Sequence, residues 1–293
     1  MRIAVIGLGN MGQALARTLA AGGRVVGGWN RTPRDLPDLV AAGGRIAPPP
    51  PGALRDADVV LLISLSYDTT DALLRPVAGK LKGKLLLQMC TGLPEEARRF
   101  AAWAGAQDAE VLDVGIMGYP SDIGSERMLL LFDGDKAMFD KVQPLLAPLG
   151  PRQRHVGRAP GLAKTYDNAI LARNYAWMLS YLQSAAIAQA CGLDTTLFTE
   201  LAMDQLGPLY RNVDRAKQEI AAGGFRPATQ ASLAVHHKAL GIVQQMAQQA
   251  GARTPILAEA LAAMERAIAA GHGDREIAAC FTAFLPTGTP SAA

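Results

Sequence analysis

The stretch GLAKTYDNAILARNYAWML, residues 161–179, carries three side chains able to do acid–base or electrostatic chemistry: Lys164, Asp167 and Tyr175. Its apolar residues recur at helical spacing, so all three ride one helix. Residues three apart differ by roughly 60° around a helix axis and sit about 4.5 Å apart along it, which makes Lys164 and Asp167 neighbours. The two point to different reactions. A carbonyl under hydride attack becomes an alkoxide and needs a cation or an acid beside it, the work of a lysine. An iminium already carries positive charge, so a carboxylate can orient it and pass a proton at nitrogen. A Lys164–Asp167 ion pair would hold the carboxylate ionised and lower its pKa. An ordinary surface pair at this spacing would look the same in sequence.

A second group of residues could hold a dinucleotide. Gly7-Leu8-Gly9-Asn10-Met11-Gly12 follows a strand-like run and opens a helix. Glycines there allow a tight turn and a close backbone approach to a pyrophosphate at the helix N-terminus. About twenty residues on, an NAD site would carry an acid for the ribose 2′-hydroxyl. The sequence has Trp29-Asn30-Arg31-Thr32-Pro33-Arg34 instead. A guanidinium and a hydroxyl suit a 2′-phosphate, so NADP(H) is the expected cofactor. Arg31 is its first contact, with Asn30 and Thr32 beside it and Arg34 a further candidate.

The elements that position these groups fall into two rhythms. RIAVIG, RVVGGW, ADVVLLIS, KLLLQMC, AEVLDV and RMLLLFDG are short apolar runs of the kind buried on both faces of a parallel sheet. Helical patterns between them, such as GQALARTLAAGG with its terminal glycine pair, give a doubly wound α/β domain. The PPPPG run at 48–52 reads as a stiff surface connection. From residue 160 a helical pattern of about 32 residues runs to Gly192, roughly 45 Å long. Further helical segments lie near 194–206, 208–222, 228–250, 254–271 and 274–284. The expected division is a cofactor domain over 1–159, an interdomain helix over 160–192 and an all-α domain over 193–293. The C-terminal LPTGTPSAA has the composition of a disordered tail.

Composition narrows the function classes. The formal charge of +3 is spread thinly, which suggests neither nucleic acid nor an anionic membrane as partner. No run nears the roughly 18 apolar residues of a membrane span, and the start lacks a signal peptide's long apolar stretch. Cys90, Cys191 and Cys280 are far apart and odd in number, which favours a reducing, cytoplasmic setting over a disulfide framework.

Two further segments, Gln88-Met89-Cys90-Thr91-Gly92-Leu93-Pro94 and Asp113-Val114-Gly115-Ile116-Met117-Gly118-Tyr119-Pro120 through Ile123-Gly124, join the glycine and Asn30–Thr32 segments in carrying a resemblance. The chain resembles the β-hydroxyacid dehydrogenase superfamily, and within it the imine reductases and reductive aminases. Matches to their GLGxMG, WNRTP, DxxIMxxPxxIG-like and PGLAxxYD segments run in order from residue 5 to about residue 180. The resemblance implies a 6-phosphogluconate dehydrogenase-like plan: a Rossmann domain, a long interdomain helix and a helical C-terminal domain. It also implies a homodimer with interlocked helical domains. The superfamily's catalytic lysine lies in a GxGxxxK pattern. Asp167 fits that register better than Lys164, because Gly161 and Ala163 then take the small positions, whereas Lys164 would need glycines where Arg158 and Pro160 stand.

By the resemblance Tyr175 holds substrate and Thr91 lines the pocket near the nicotinamide. Ser64-Leu65-Ser66 lies where the superfamily passes the cofactor's ribose and nicotinamide. The reading is NADPH-dependent reduction of imines, with a ketone plus an amine as an extension. The rivals are a β-hydroxyacid dehydrogenase using Lys164 and a non-catalytic NADP(H)-binding protein. His236 and His237 are adjacent on a helix and cannot share a metal. One is expected outward and one inward, with His237 a pocket candidate. Trp177, Met178, Met203, Leu206 and Tyr210 read chiefly as core, or else as an apolar pocket wall.

Overall fold

The computed structural model describes residues 1–286; the final residues of the tail lie outside them. Contacts divide the chain into two compact units, Met1–Arg173 and Asn174 onward, so the cut falls inside the long helix.

The first unit is built on an eight-stranded sheet. Its strands are β1 (Arg2–Ile6), β2 (Val25–Trp29), β3 (Arg45–Ile46), β4 (Val59–Leu62), β5 (Leu85–Gln88), β6 (Glu110–Met117), β7 (Leu129–Gly134) and β8 (Arg152–Gly157). They lie in the order β3-β2-β1-β4-β5-β6-β7-β8. All pairings are parallel except β6 with β7, which is antiparallel. The exception has a local cause. A loop, not a crossover helix, joins these two strands, and a short connection returns the chain antiparallel.

Alternate residues of the inner strands feed two cores. Ile3, Val5, Val59 and Leu61 face one core with α1 (Asn10–Ala21) and α6 (Lys136–Leu146). Ala4, Ile6, Val60 and Leu62 face the other, with α3 (Pro50–Arg55), α4 (Tyr67–Leu74) and α5 (Pro94–Gly105). A short α2 (Pro37–Ala41) follows β2.

The six expected strands are all present, and two more were not foreseen. β3 is a two-residue edge. β8, RQRHVG, is too polar to read as a buried run. The proline run also departs from expectation: it enters α3, with Pro49 as N-cap and Pro50 as first residue. Proline lacks the N–H that a first helical turn leaves unbonded anyway, so it belongs there.

The long helix α7 spans Leu162–Ala190, 29 residues, and Gly192 turns the chain after it with φ +75°. The second unit continues with α8 (Thr195–Asp204), α9 (Leu206–Ala222), α10 (Leu233–Gln249) and α11 (Pro255–Ala267), then short turns to Phe284. Leu233, Ala247, Leu261 and Ala263 are buried there. The three cysteines are free.

Candidate active site

The sheet order reverses direction at β1 and β4, and in such sheets ligands bind beyond the strands' C-terminal ends at that point. Every cofactor-binding residue expected from the sequence follows a neighbouring strand: Gly7–Gly12 after β1, Asn30–Thr32 after β2, Ser64–Ser66 after β4. Thr91 follows β5.

The glycine loop fits a dinucleotide. A Cβ on Gly7, where φ is +100°, would lie 2.2 Å from the Ile63 carbonyl oxygen, and one on Gly12 would lie 1.9 Å from the Gly7 carbonyl oxygen. Gly9 instead opens onto free space. α1 has no side-chain cap and no acid in its first turn. Its first amides therefore remain available to an anion. Asn30 shapes the loop, because its Oδ1 accepts from Leu8 N at 3.0 Å and its Nδ2 donates to Thr32 O at 2.8 Å. Arg31 and Arg34 are exposed, and neither has an ion pair among the described residues. The Ser64 hydroxyl donates to Ser66 O at 2.9 Å, and Ser66 caps α4 through Thr69 N. That leaves Leu65, 90% exposed, at the tip of the turn.

Around the start of α7 the chain has built a buried polar cluster. Asp133 on β7 accepts from Ala163 N at 2.8 Å, anchoring the helix terminus. Lys164 is 0% exposed; its Nζ donates to Val114 O at 2.8 Å and lies 2.8 Å from Asp113 Oδ1. The other Asp113 oxygen accepts from the Tyr67 hydroxyl. Asn168 Nδ2 donates to Gly92 O at 3.1 Å, tying the Thr91–Gly92 loop to the helix. Gln88 and Thr70 are hydrogen-bonded beneath, and burial pushes the Cys90 thiol up to about 11.

Asp167 sits in this cluster, 4% exposed, against Gly115: a Cβ on that glycine would meet its Cβ at 3.1 Å and its Cγ at 3.2 Å. Asp167 Oδ1 has no hydrogen-bond partner among the described residues. The expected Lys164–Asp167 ion pair is not made, since Lys164 is engaged by Asp113. The expected low pKa is corrected with it. Burial raises Asp167 above the ordinary carboxylate value, Lys164 offsets part of this and Asp113 adds to it.

Asp133 gives a measurable signature. Its ordinary value is 3.8; burial pushes it up to about 6, against the Ala163 amide and with help from Asp113. Between those values the folded chain keeps a proton that the unfolded chain has released. The stability from this site is therefore present at low pH and lost as pH rises through about 6. Urea unfolding is expected to show a loss on the order of 2–3 kcal/mol across that window, absent in Asp133→Asn.

Tyr175 belongs to the second unit and is 66% exposed. Trp177, Met178, Met203 and Tyr210 are also exposed, and Leu206 is half-buried, so the reading of most of them as core is corrected. The two histidines are both half-buried, and His237 Nε2 lies 3.2 Å from Glu265 Oε1. Among the described residues no helix is long and apolar enough to cross a membrane, and no group of metal-ligating side chains occurs.

The sequence reading gave no role to Asp113, Tyr67, Asp133, Gly115 or Asn168. Two of them carried a signal: an acid inside an apolar strand run needs a partner when buried, and both Asp113 and Asp133 stand in such runs.

Comparison with known proteins finds two matches along the chain. Residues 2–157 match the NAD binding domain of 6-phosphogluconate dehydrogenase, and residues 159–285 match the C-terminal domain of the NADPH-dependent reductive aminase-like proteins. The chain is 26% identical to the NADPH-dependent reductive aminase of Aspergillus oryzae over 288 residues, covering 96% of each. Its fold resembles the imine reductase from Myxococcus stipitatus in complex with NADP+, with TM-score 0.92 and 29% identity over 97% of this chain and 100% of that one. It also resembles the reductive aminase from Aspergillus terreus in complex with NADPH and ethyl levulinate, with TM-score 0.90 and 26% identity over 97% and 99% of the two chains. The chain is an NAD(P)-dependent oxidoreductase. Both halves match in order, and the chain belongs to the imine reductase and reductive aminase branch of the β-hydroxyacid dehydrogenase superfamily.

Proposed function

We propose that this protein reduces imines or iminium ions to amines with NADPH. The observation that carries the reading is Asp167: a buried carboxyl of raised proton affinity, with one oxygen left unbonded. Bound NADPH would supply the hydride. The Asp167 carboxyl gives its proton to the imine nitrogen, and the resulting carboxylate holds the iminium beside it while the carbon is reduced. Solvent then returns a proton to Asp167. Thr91, exposed on a loop fixed by Asn168, lines the nicotinamide side. Tyr175, farther along α7, positions the substrate. A cyclic imine offered with NADPH, beside a panel of β-keto and semialdehyde acids, tests the reading; turnover of the acids alone would overturn it. A ketone with an amine extends the test to reductive amination.

The β-hydroxyacid alternative needs Lys164 at the substrate. Its ammonium is buried and already engaged by Asp113 and Val114, which supports the Asp167 reading over that one.

The open glycine-loop helix end and the free Arg31 support NADP(H) as cofactor. Arg31→Asp is expected to raise KM for NADPH by roughly 10- to 100-fold, with little effect on NADH. An unchanged ratio between the two cofactors would remove Arg31 from the 2′-phosphate.

The protein acts as a homodimer in this reading. Beyond Arg173 α7 carries no charged residue and is largely apolar, and Tyr175, Trp177, Met178, Leu179 and Leu182 are all exposed on it. So large an apolar surface calls for a second copy of the chain. A monomer in sedimentation at working concentration would exclude this. The cytoplasm is the proposed setting, in keeping with three free cysteines.

A further inference from the structure

The mechanism uses Asp167 and leaves Lys164, one turn before it, without a task. A lysine is among the costliest residues to bury, and removing only one partner of a buried ion pair strands the other charge. Here the geometry accounts for the whole charge. Lys164 Nζ is held between Asp113 Oδ1 and Val114 O, both at 2.8 Å, and Tyr67 donates to the remaining Asp113 oxygen. Asp113, Val114 and Gly115 are consecutive on β6, and Gly115 is the residue against which Asp167 rests. The strand that holds the lysine thus also carries the floor beneath the aspartate.

We propose that Lys164 is a positioning residue: with Asp113 and Tyr67 it forms a buried, charge-balanced clamp that seats α7 on β6 and sets the field in which Asp167 exchanges its proton. The inference rests on the reading of Asp167 as the proton-transfer group. Lys164 itself touches no substrate. The charged groups that act on Asp167 are Lys164 on its own helix, which favours the carboxylate, and Asp113 on β6, which opposes it. Tyr67 on α4 and Asp133 on β7 are occupied by Asp113 and by the Ala163 amide. A plain anchor would only hold the helix down. A clamp of this kind must shift Asp167 in opposite directions when its two charges are removed separately.

The test follows the titration of Asp167 by NMR of isotope-labelled aspartate in the full chain without ligand, assigned against Asp167→Asn. The pH profile of imine reduction is measured alongside. Lys164→Met is expected to move the Asp167 midpoint up by about one pH unit or more, since the favouring cation is gone. Asp113→Asn is expected to move it down, since the cation is no longer balanced. The double variant should fall between the two. Because the protonated acid donates, turnover falls as pH rises past the midpoint, and that limb should move with it. Midpoints that stay put in both single variants, or move the same way, overturn the clamp. Should Lys164→Met fail to fold, the double variant removes both buried charges together, a change that proteins often tolerate. Its midpoint must then lie above that of Asp113→Asn, and one at or below it overturns the proposal. Midpoints that shift as expected while the pH profile stays fixed would support the clamp and reject Asp167 as the proton-transfer group.

Discussion

Asp167→Asn is expected to slow imine reduction by about 10²- to 10⁴-fold, the usual contribution of a positioned general acid. Asparagine keeps the shape that fits against Gly115, so packing is preserved. It cannot give up a proton to the imine or balance the iminium that forms. The same substitution should leave the melting temperature unchanged or raise it, because a buried carboxyl with an unbonded oxygen costs stability whenever it ionises. Loss of rate with retained stability separates chemistry from folding. A rate within a factor of two or so of the wild type would take Asp167 out of the reaction, since a general acid contributes far more than that. NADPH binding, followed by quenching of intrinsic fluorescence, should be untouched in either case.

Gly12→Ala is the second large effect. The new Cβ would stand 1.9 Å from the Gly7 carbonyl oxygen and 3.0 Å from its carbonyl carbon, so the methyl meets backbone, with no flexible side chain there to give way. The start of α1 must lift off the loop, and the amides aimed at a pyrophosphate move with it. A destabilisation of roughly 2–4 kcal/mol is expected from overpacking and strain at such a site. Saturating NADPH, which should raise the melting temperature of the wild type, should no longer raise that of the variant. Gly9→Ala is the control. Its Cβ meets nothing within 4 Å of protein, so the apo stability should hold while cofactor binding weakens. A Gly12→Ala protein that still gains stability from NADPH would separate this loop from the cofactor.

The sequence was most legible where a residue's job depends on its immediate neighbours. The glycine loop, the apolar strand runs and the long helix rest on backbone freedom and on period, both visible within a short window. β3 and β8 escaped because edge strands need no apolar run, and α3 because prolines at a helix start look like prolines in a connection. The partner of Lys164 was misread for a different reason. Spacing of three on a helix suggested Asp167, whereas the partner is fifty-one positions away on a strand, at 2.8 Å. Which of two acids a buried cation chooses depends on tertiary packing, which a local pattern does not encode.

The pairing of β6 with β7 has a consequence for how the chain can be cut. Asp113 and Asp133 stand directly opposite each other in that antiparallel pair, two buried acids facing one another across neighbouring strands. Nothing in the strands themselves neutralises them. The first turn of α7 does so, with the Ala163 amide on one carboxylate and the Lys164 ammonium on the other. The helix start is thus the counter-ion of the sheet. A fragment ended at residue 159, where the change of rhythm invites a boundary, would keep the two acids and lose the Ala163 amide and the Lys164 ammonium, leaving Asp113 only the Tyr67 hydroxyl. The contact boundary after Arg173 keeps all four groups together. The nucleotide-binding half therefore owns the first three turns of a helix that continues into the other half, and it can be severed as a self-sufficient piece only beyond them.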